Sequence, residues 1–453
     1  MTDFRKRRIG HRLFIALFFL SSCAPSGCDN NGPGAGDAWR NYPSLSHTPR
    51  SYPWLVLKCR VRDDKSVPAG LDTTIRQFFG LAGAGYGNLF DYFSDISYGQ
   101  AGVYGLTFTE WADAPFTRAD IATGSLAPPN QRYERARQCL DAIPAEQLPD
   151  LDSFYGVVVV TNVPVDGGAC GTGPTPFQVR GARHNLACVW LNPTGLITAF
   201  AGHEFGHGLG LDDSFEDSSR NCGGEPGRYC DPWDIMSALR AYRFVSRNWA
   251  HPTIPDVAGP GMSAPALLRL GWLPPARIAR FNQGQSGEQT FTLTALSRPA
   301  GTGFLVVSIS PEGSALPESY TVEYRQAEGW DRGFTGPRAP AAVRESGGVV
   351  LVHRYRPHAS PSSILVNGGA LQSCQSMVMR GQEGNIHIWV RAIDTARGTA
   401  TVSIGSGREA FRFCDRISGA QLPSIHVDRP FVAPAPADRI REQQKQVPVP
   451  PSP

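Results

Sequence analysis

The chain has 453 residues, enough for two or three domains with real cores, which excludes a peptide or a single small module. Its 49 glycines and 38 prolines make up nearly a fifth of the residues while only 18% are charged, a mix that suits a loop-rich extracellular protein. The formal net charge of +3 is carried by Arg5, Lys6, Arg7, Arg8 and Arg12 at the start; the remainder is close to neutral and lacks the basic surface that nucleic-acid binding requires.

The basic opening leads into residues 13–20 (LFIALFFL), too short for a spanning helix of about 20 residues but right for the core of a signal peptide. Residues 1–22 therefore read as a signal peptide, and the protein as exported. Leu20-Ser21-Ser22-Cys23 resembles the lipobox of bacterial lipoproteins, where the cysteine becomes the lipidated first residue. That resemblance implies a membrane anchor on Cys23 at a bacterial cell surface or outer membrane, with a secreted protein as the alternative. Residues 23–50 are rich in Gly, Pro and Asn and read as a flexible tether.

Strands are then expected at 54–61 and 157–160, and helices at 71–79, 130–143 and 196–209, which is an α/β alternation. After Trp272 only short strands follow, at 290–296, 304–309, 320–325, 349–355, 386–390 and 399–404, several with strict apolar alternation, as an all-β sandwich or barrel requires. The expected organisation is an α/β domain over 51–275, a β-sandwich domain over 276–427 and a Pro-rich disordered tail over 428–453, with the boundary near Pro274-Pro275.

Export permits disulfides. With Cys23 lipidated and Cys28 in the tether, eight cysteines remain. Pairing nearest neighbours keeps each bridge within one region, as Cys59–Cys139, Cys170–Cys188, Cys222–Cys230 and Cys374–Cys414. No CxxC spacing occurs, so a zinc knuckle is excluded.

The chemistry concentrates in residues 201–217, AGHEFGHGLGLDDSFED. His203 and His207 lie four apart on a predicted helix, which stacks both imidazoles on one face, able to chelate one ion. Apolar neighbours such as Phe200, Phe205 and Leu209 argue against two merely solvated histidines. Gly208 and Gly210 let the chain turn and bring Asp213, six residues after His207, back toward the ion, leaving Asp212 to orient a backbone group or to face solvent. Two histidines and one carboxylate are a catalytic zinc set with a position left for water, and Glu204 is placed as the general base. Peptide hydrolysis is the reaction such a site serves best. Asp212, Asp217, Asp231 and Asp234 read as a solvated acidic loop, with a Ca²⁺ site as the alternative. His353, His358 and His387 read as packing or surface residues, and Trp330 and Trp389 as core filling, with a carbohydrate-lining surface as the alternative.

The pattern HExxHxxGxxD, followed 23 residues after Asp213 by Met236 in DPWDIMS, resembles the metzincin metallopeptidases, and more narrowly their immune-inhibitor-A-like and gametolysin-like branches. DYFSDISYG from Asp91, LGWL from Leu270, VEYRQ from Val322, GWD from Gly329 and GVVLVH from Gly348 resemble segments of the same families, so the likeness spans about residues 54–355. It implies a zincin catalytic domain, a Met-turn at Met236 beneath the metal, and protein or peptide substrates. Asp213 in place of a third histidine favours the immune-inhibitor-A side. Ala238 stands where astacin-like relatives carry a tyrosine, which leaves Tyr242 as a distant candidate for binding the oxyanion. The rival readings are a surface lipoprotein that binds a polymer or host protein with a vestigial zinc site, and a cell-wall peptide amidase.

Overall fold

Strand β1 (Arg50–Arg60) lies inside the first sheet, between two other strands, and its residues alternate between two apolar layers. Trp54 and Val56 face one core cluster, Leu55 and Leu57 the other. A computed structural model describes residues 50–81, 87–122, 129–246, 257–283, 287–298, 301–310, 318–381, 384–406 and 425–427. The expected signal peptide, tether and tail, with Cys23, Cys28 and Cys414, lie outside the described residues.

Helices α1 (Leu71–Phe79) and α2 (Leu89–Ile96) lead to β2 (Ala101–Asp113), and α3 (Pro129–Ala142) to β3 (Gly156–Thr161), whose six residues are all buried. Strands β4 (Gly168–Ala169), β5 (Thr175–Val179) and β6 (Ala182–Leu191) and helix α4 (Thr198–Gly208) complete the unit. The sheet order is β2-β1-β3-β6-β4, with β5 as a hairpin partner of β6. Strands β2, β1, β3 and β6 are parallel, while β4 runs antiparallel at the edge beside α4. A continuous apolar run such as GVVVV is what a parallel strand covered on both faces demands.

A short β7 (Phe215–Glu216) follows α4, then the ribbon β8 (Phe244–Val245) and β9 (Val257–Ala258), then helix α5 (Ala264–Leu270). From β10 (Ile278–Asn282) the chain is mostly strands: β11 (Glu288–Thr294), β12 (Val306–Ser310), β13 (Ser319–Gln326), helix α6 (Ala341–Ser346), β14 (Gly348–Tyr355), β15 (Ser363–Leu371), β16 (Ser376–Gly381), β17 (Gly384–Asp394), β18 (Thr399–Ser406) and β19 (Ile425–Val427). One sheet has the order β10-β12-β13-β14-β15-β7 and the other β11-β18-β17-β16-β19. Their inner faces share one apolar cluster, with Val322, Val350 and Val352 on one side and Ile388, Val402 and Ile404 on the other. The protein is thus an α/β unit followed by a β-sandwich unit.

The two units interlock. Strand β7, two residues after Asp213, pairs in parallel with β15 of the second unit, Phe215 opposite Ile364. Beneath that seam lies a buried charge network. Arg325 donates through Nε and Nη2 to the two oxygens of Asp331 at 2.7 and 2.6 Å, and through Nη1 to Glu323 at 3.2 Å. Glu323 also accepts the Ala264 amide, and Asp331 accepts the Gly261 amide at 2.9 Å. His353 is fully buried and its Nε2 lies 3.0 Å from Asp231, so it serves this network rather than apolar packing or the surface.

Candidate metal centre

Helix α4 can approach its neighbours because two of its positions carry no side chain. A Cβ on Gly206 would sit 2.5 Å from Met236 Sδ, and one on Gly202 would sit 2.8 Å from Ile235 Cδ1. The turn after Asp234 therefore lies directly against the helix, with Met236 buried under it. Asp234 fixes that turn by accepting the amides of Met236 and Ser263 at 2.8 and 3.1 Å.

The turn in turn orients a histidine. His203 Nδ1 donates to the Ile235 carbonyl at 3.1 Å, and His207 Nδ1 donates to the Leu211 carbonyl at 2.9 Å. A carbonyl only accepts, so each Nδ1 carries a proton, and a ring in its neutral form turns a bare Nε2 lone pair inward. The two Nε2 atoms are 3.1 Å apart. Gly210, with φ +96°, turns the chain after the helix and delivers Asp213 Oδ1 to 3.2 Å from His207 Nε2 and 3.7 Å from His203 Nε2. Arg228 holds the other oxygen, Oδ2, through Nε at 2.8 Å and Nη2 at 2.6 Å.

These side chains fit a metal ion. Bonds of about 2.0–2.1 Å place tetrahedral ligand atoms about 3.3 Å apart, and the three separations above bracket that value. Asp213 Oδ1 is buried, and against the neutral form of both rings it meets two bare nitrogens and no hydrogen-bond donor. The ligand-type atoms of His203, Glu204 and His207 also lie within 4.8 Å of one another, so Glu204 is a second carboxylate within reach. Orientation separates the two acids: Glu204 Oε2 accepts the Ala169 amide of edge strand β4 at 2.6 Å, whereas Asp213 Oδ1 is left to the histidines. Without a metal the charges settle among the ligands themselves. Burial and the neighbouring His207 lower the His203 pKa. Burial opposes protonation of His207 as well, yet Asp213 overrides it and lifts His207 to about 9. Burial likewise opposes ionisation of Asp213, but His207, His203 and Arg228 hold it at about 2.

No protein-family profile and no characterised protein sequence matches this chain. Among solved structures, a catalytically inactive OgpA from Akkermansia muciniphila, in complex with an O-glycopeptide (glycodrosocin) substrate, is 11% identical over 82% of this chain and 84% of that one, with a TM-score of 0.24. A likeness of that size assigns no family.

The remaining candidates fall in different places. The four acids offered for Ca²⁺ do not converge: Asp212 pairs with Arg269 at 2.9 Å, Asp231 holds His353 and the Trp233 amide, Asp234 caps the turn, and the backbone of Asp217 bonds to Leu365. Among the described residues, His203, Glu204 and His207 form the only such metal-type cluster. Asp212 is thus neither a solvent-facing acid nor a backbone clamp, because α5 carries Arg269 up to it. Tyr242 packs edge-on against Trp233 and Phe334. The phenol beside the site is Tyr229, whose ring centroid lies 6.2 Å from that of His203 and whose pKa burial and Asp213 push up to about 12.

Disulfides join Cys59 to Cys139, Cys170 to Cys188 and Cys222 to Cys230. Cys374 is also disulfide-bonded, while Cys414 lies outside the described residues. The loop closed by Cys222–Cys230 carries Arg228 and Tyr229, which the zinc motif alone does not point to. Their one signal in the sequence is a cation and an aromatic inside a short cystine loop between Asp213 and Met236. The Ala169 amide has no side-chain signal at all.

Proposed function

We propose that this chain is an exported zinc-dependent metalloendopeptidase that hydrolyses extracellular proteins, held to a membrane through a lipid on Cys23. The convergence of His203 Nε2, His207 Nε2 and Asp213 Oδ1 at 3.1–3.7 Å, with Glu204 anchored beside them, supports this reading. A zinc ion held there supplies Lewis acidity and lowers the pKa of its water toward 7. Glu204 does the proton work: the Ala169 amide fixes Oε2, and Oε1 is left to take a proton from the attacking water and return it to the leaving amine. Arg228 positions Asp213, and Met236 with Asp234 positions the Ile235 carbonyl that orients His203. The disulfides point to an oxidising, extracellular setting, and among the described residues no helix is long and apolar enough to cross a membrane.

The direct test is incubation of the protein lacking residues 1–22 with casein and a random peptide library. We expect cleavage that a chelator abolishes and added zinc restores. A zinc-loaded protein that cleaves neither substrate would remove the peptidase reading.

The ligand assignment has its own test, independent of turnover. Asp213→Ala is expected to weaken zinc binding at least tenfold in competition with a chromogenic chelator, the scale of losing even an outer-shell partner of a metal site. Asp212→Ala should change it little, because Asp212 is occupied with Arg269. The opposite ranking would place the ligand one residue away.

A further inference from the structure

Beside the metal centre lies an open cavity of about 740 Å³ that the reaction chemistry does not account for. One wall is Ser237 and Ala238, the two residues after Met236. The facing wall is the Cys222–Cys230 loop with Tyr229, which links the cavity to the histidines. Three arginines, Arg220, Arg240 and Arg338, line it, and no aspartate or glutamate does.

The charges are unevenly matched. Arg220 is tied to Glu216 at 3.2 Å. Arg240 donates through Nε to the Cys222 carbonyl at 3.1 Å and has no carboxylate partner among the described residues. At the cavity wall the Ser237 hydroxyl is fully buried with no hydrogen-bond partner. A guanidinium without a counter-ion and a hydroxyl without an acceptor call for the same thing, a group with negatively charged oxygens. A peptide substrate offers that group as a side-chain carboxylate.

We propose that this cavity is a specificity pocket that receives the Asp or Glu side chain of a substrate residue flanking the scissile bond, with Arg240 neutralising the carboxylate and Ser237 donating to it. The proposal rests on the metallopeptidase reading for its substrate. It goes further in naming the residue type the site selects. The cavity exceeds one acidic side chain, so Glu and Asp both fit and selection is by charge rather than by length. Arg240 is exposed, so replacing it leaves the fold intact.

The test separates binding from turnover. The Glu204→Gln protein, loaded with zinc, is titrated by fluorescence anisotropy with labelled peptides that differ only in Glu, Gln or phosphoserine at one position. We expect the Glu peptide to bind about tenfold tighter than its Gln counterpart, the scale of one charge-assisted hydrogen bond. That preference should vanish in Glu204→Gln/Arg240→Gln and shrink with rising salt. In parallel, the termini released by the wild-type protein from a peptide library are sequenced, and an acidic residue should recur at one fixed position from the cut. Equal affinity for Glu and Gln, or a preference untouched by Arg240→Gln, overturns the pocket. Tighter binding of phosphoserine than of Glu overturns the carboxylate assignment. Cleavage without acidic preference defeats the pocket and leaves the peptidase standing, whereas Arg240-dependent binding of acidic peptides without any cleavage supports the pocket and defeats the peptidase.

Discussion

Glu204→Gln is expected to keep its zinc and lose at least two orders of magnitude in turnover. The substitution is close to isosteric and retains an oxygen for the Ala169 amide, so the local fold has no reason to change. It removes only the basic oxygen, and general acid–base catalysis by a positioned side chain is worth about 10²–10⁴ in rate. His203→Ala takes away a bare Nε2 and should cost the metal itself. Elemental analysis beside peptidase kinetics distinguishes the two variants. A Glu204→Gln enzyme as fast as wild type would remove Glu204 from the mechanism, and one that lost zinc would make Glu204 a ligand.

The largest expected effect on stability lies outside the zinc motif. Asp331→Ala leaves Arg325, which is 1% exposed, with a single carboxylate and orphans the Gly261 amide. Breaking a buried ion pair by removing one partner costs about 3–5 kcal/mol, because the remaining charge stays out of water. Asp331→Asn keeps an acceptor for Gly261 and should fall between the two. By contrast Arg397→Ala breaks an exposed pair with Asp394 and should hardly shift the unfolding midpoint. Denaturant unfolding monitored by tryptophan fluorescence reads all three. An Asp331→Ala midpoint equal to wild type would show that the network contributes nothing to the fold.

Local pattern made the metal helix and the sandwich strands legible. His203 and His207 declare themselves by helical spacing, and residues 399–404 by alternation. The long strand β2 carries no such signal. Gly102 and Gly105 interrupt it, the latter because a Cβ there would meet Val56 and Phe79 at 2.8 and 3.0 Å. Helix α2 does bury Leu89, Tyr92, Phe93 and Ile96 on one face, but its two turns are shorter than the window over which a helical period can be read. What holds Asp213 was hidden for another reason. Arg228 reaches it from a loop whose path depends on Gly227, at φ +77°, where any side chain would strike the Glu216 carbonyl. The partnership of Asp231 with His353 joins residues 122 apart in sequence, and no periodicity reports a contact of that kind.

The parallel pairing of β7 with β15 ties the segment that presents Asp213 to a strand some 150 residues later. A β-strand of two residues has almost no intrinsic persistence, so its geometry is borrowed from the sheet it joins. The loop that carries Asp213 and the β-sandwich are then one cooperative block: whatever loosens the sandwich also releases Asp213. A fragment ending at Pro274-Pro275 would keep every residue of the zinc motif and still lose the register that aims Asp213.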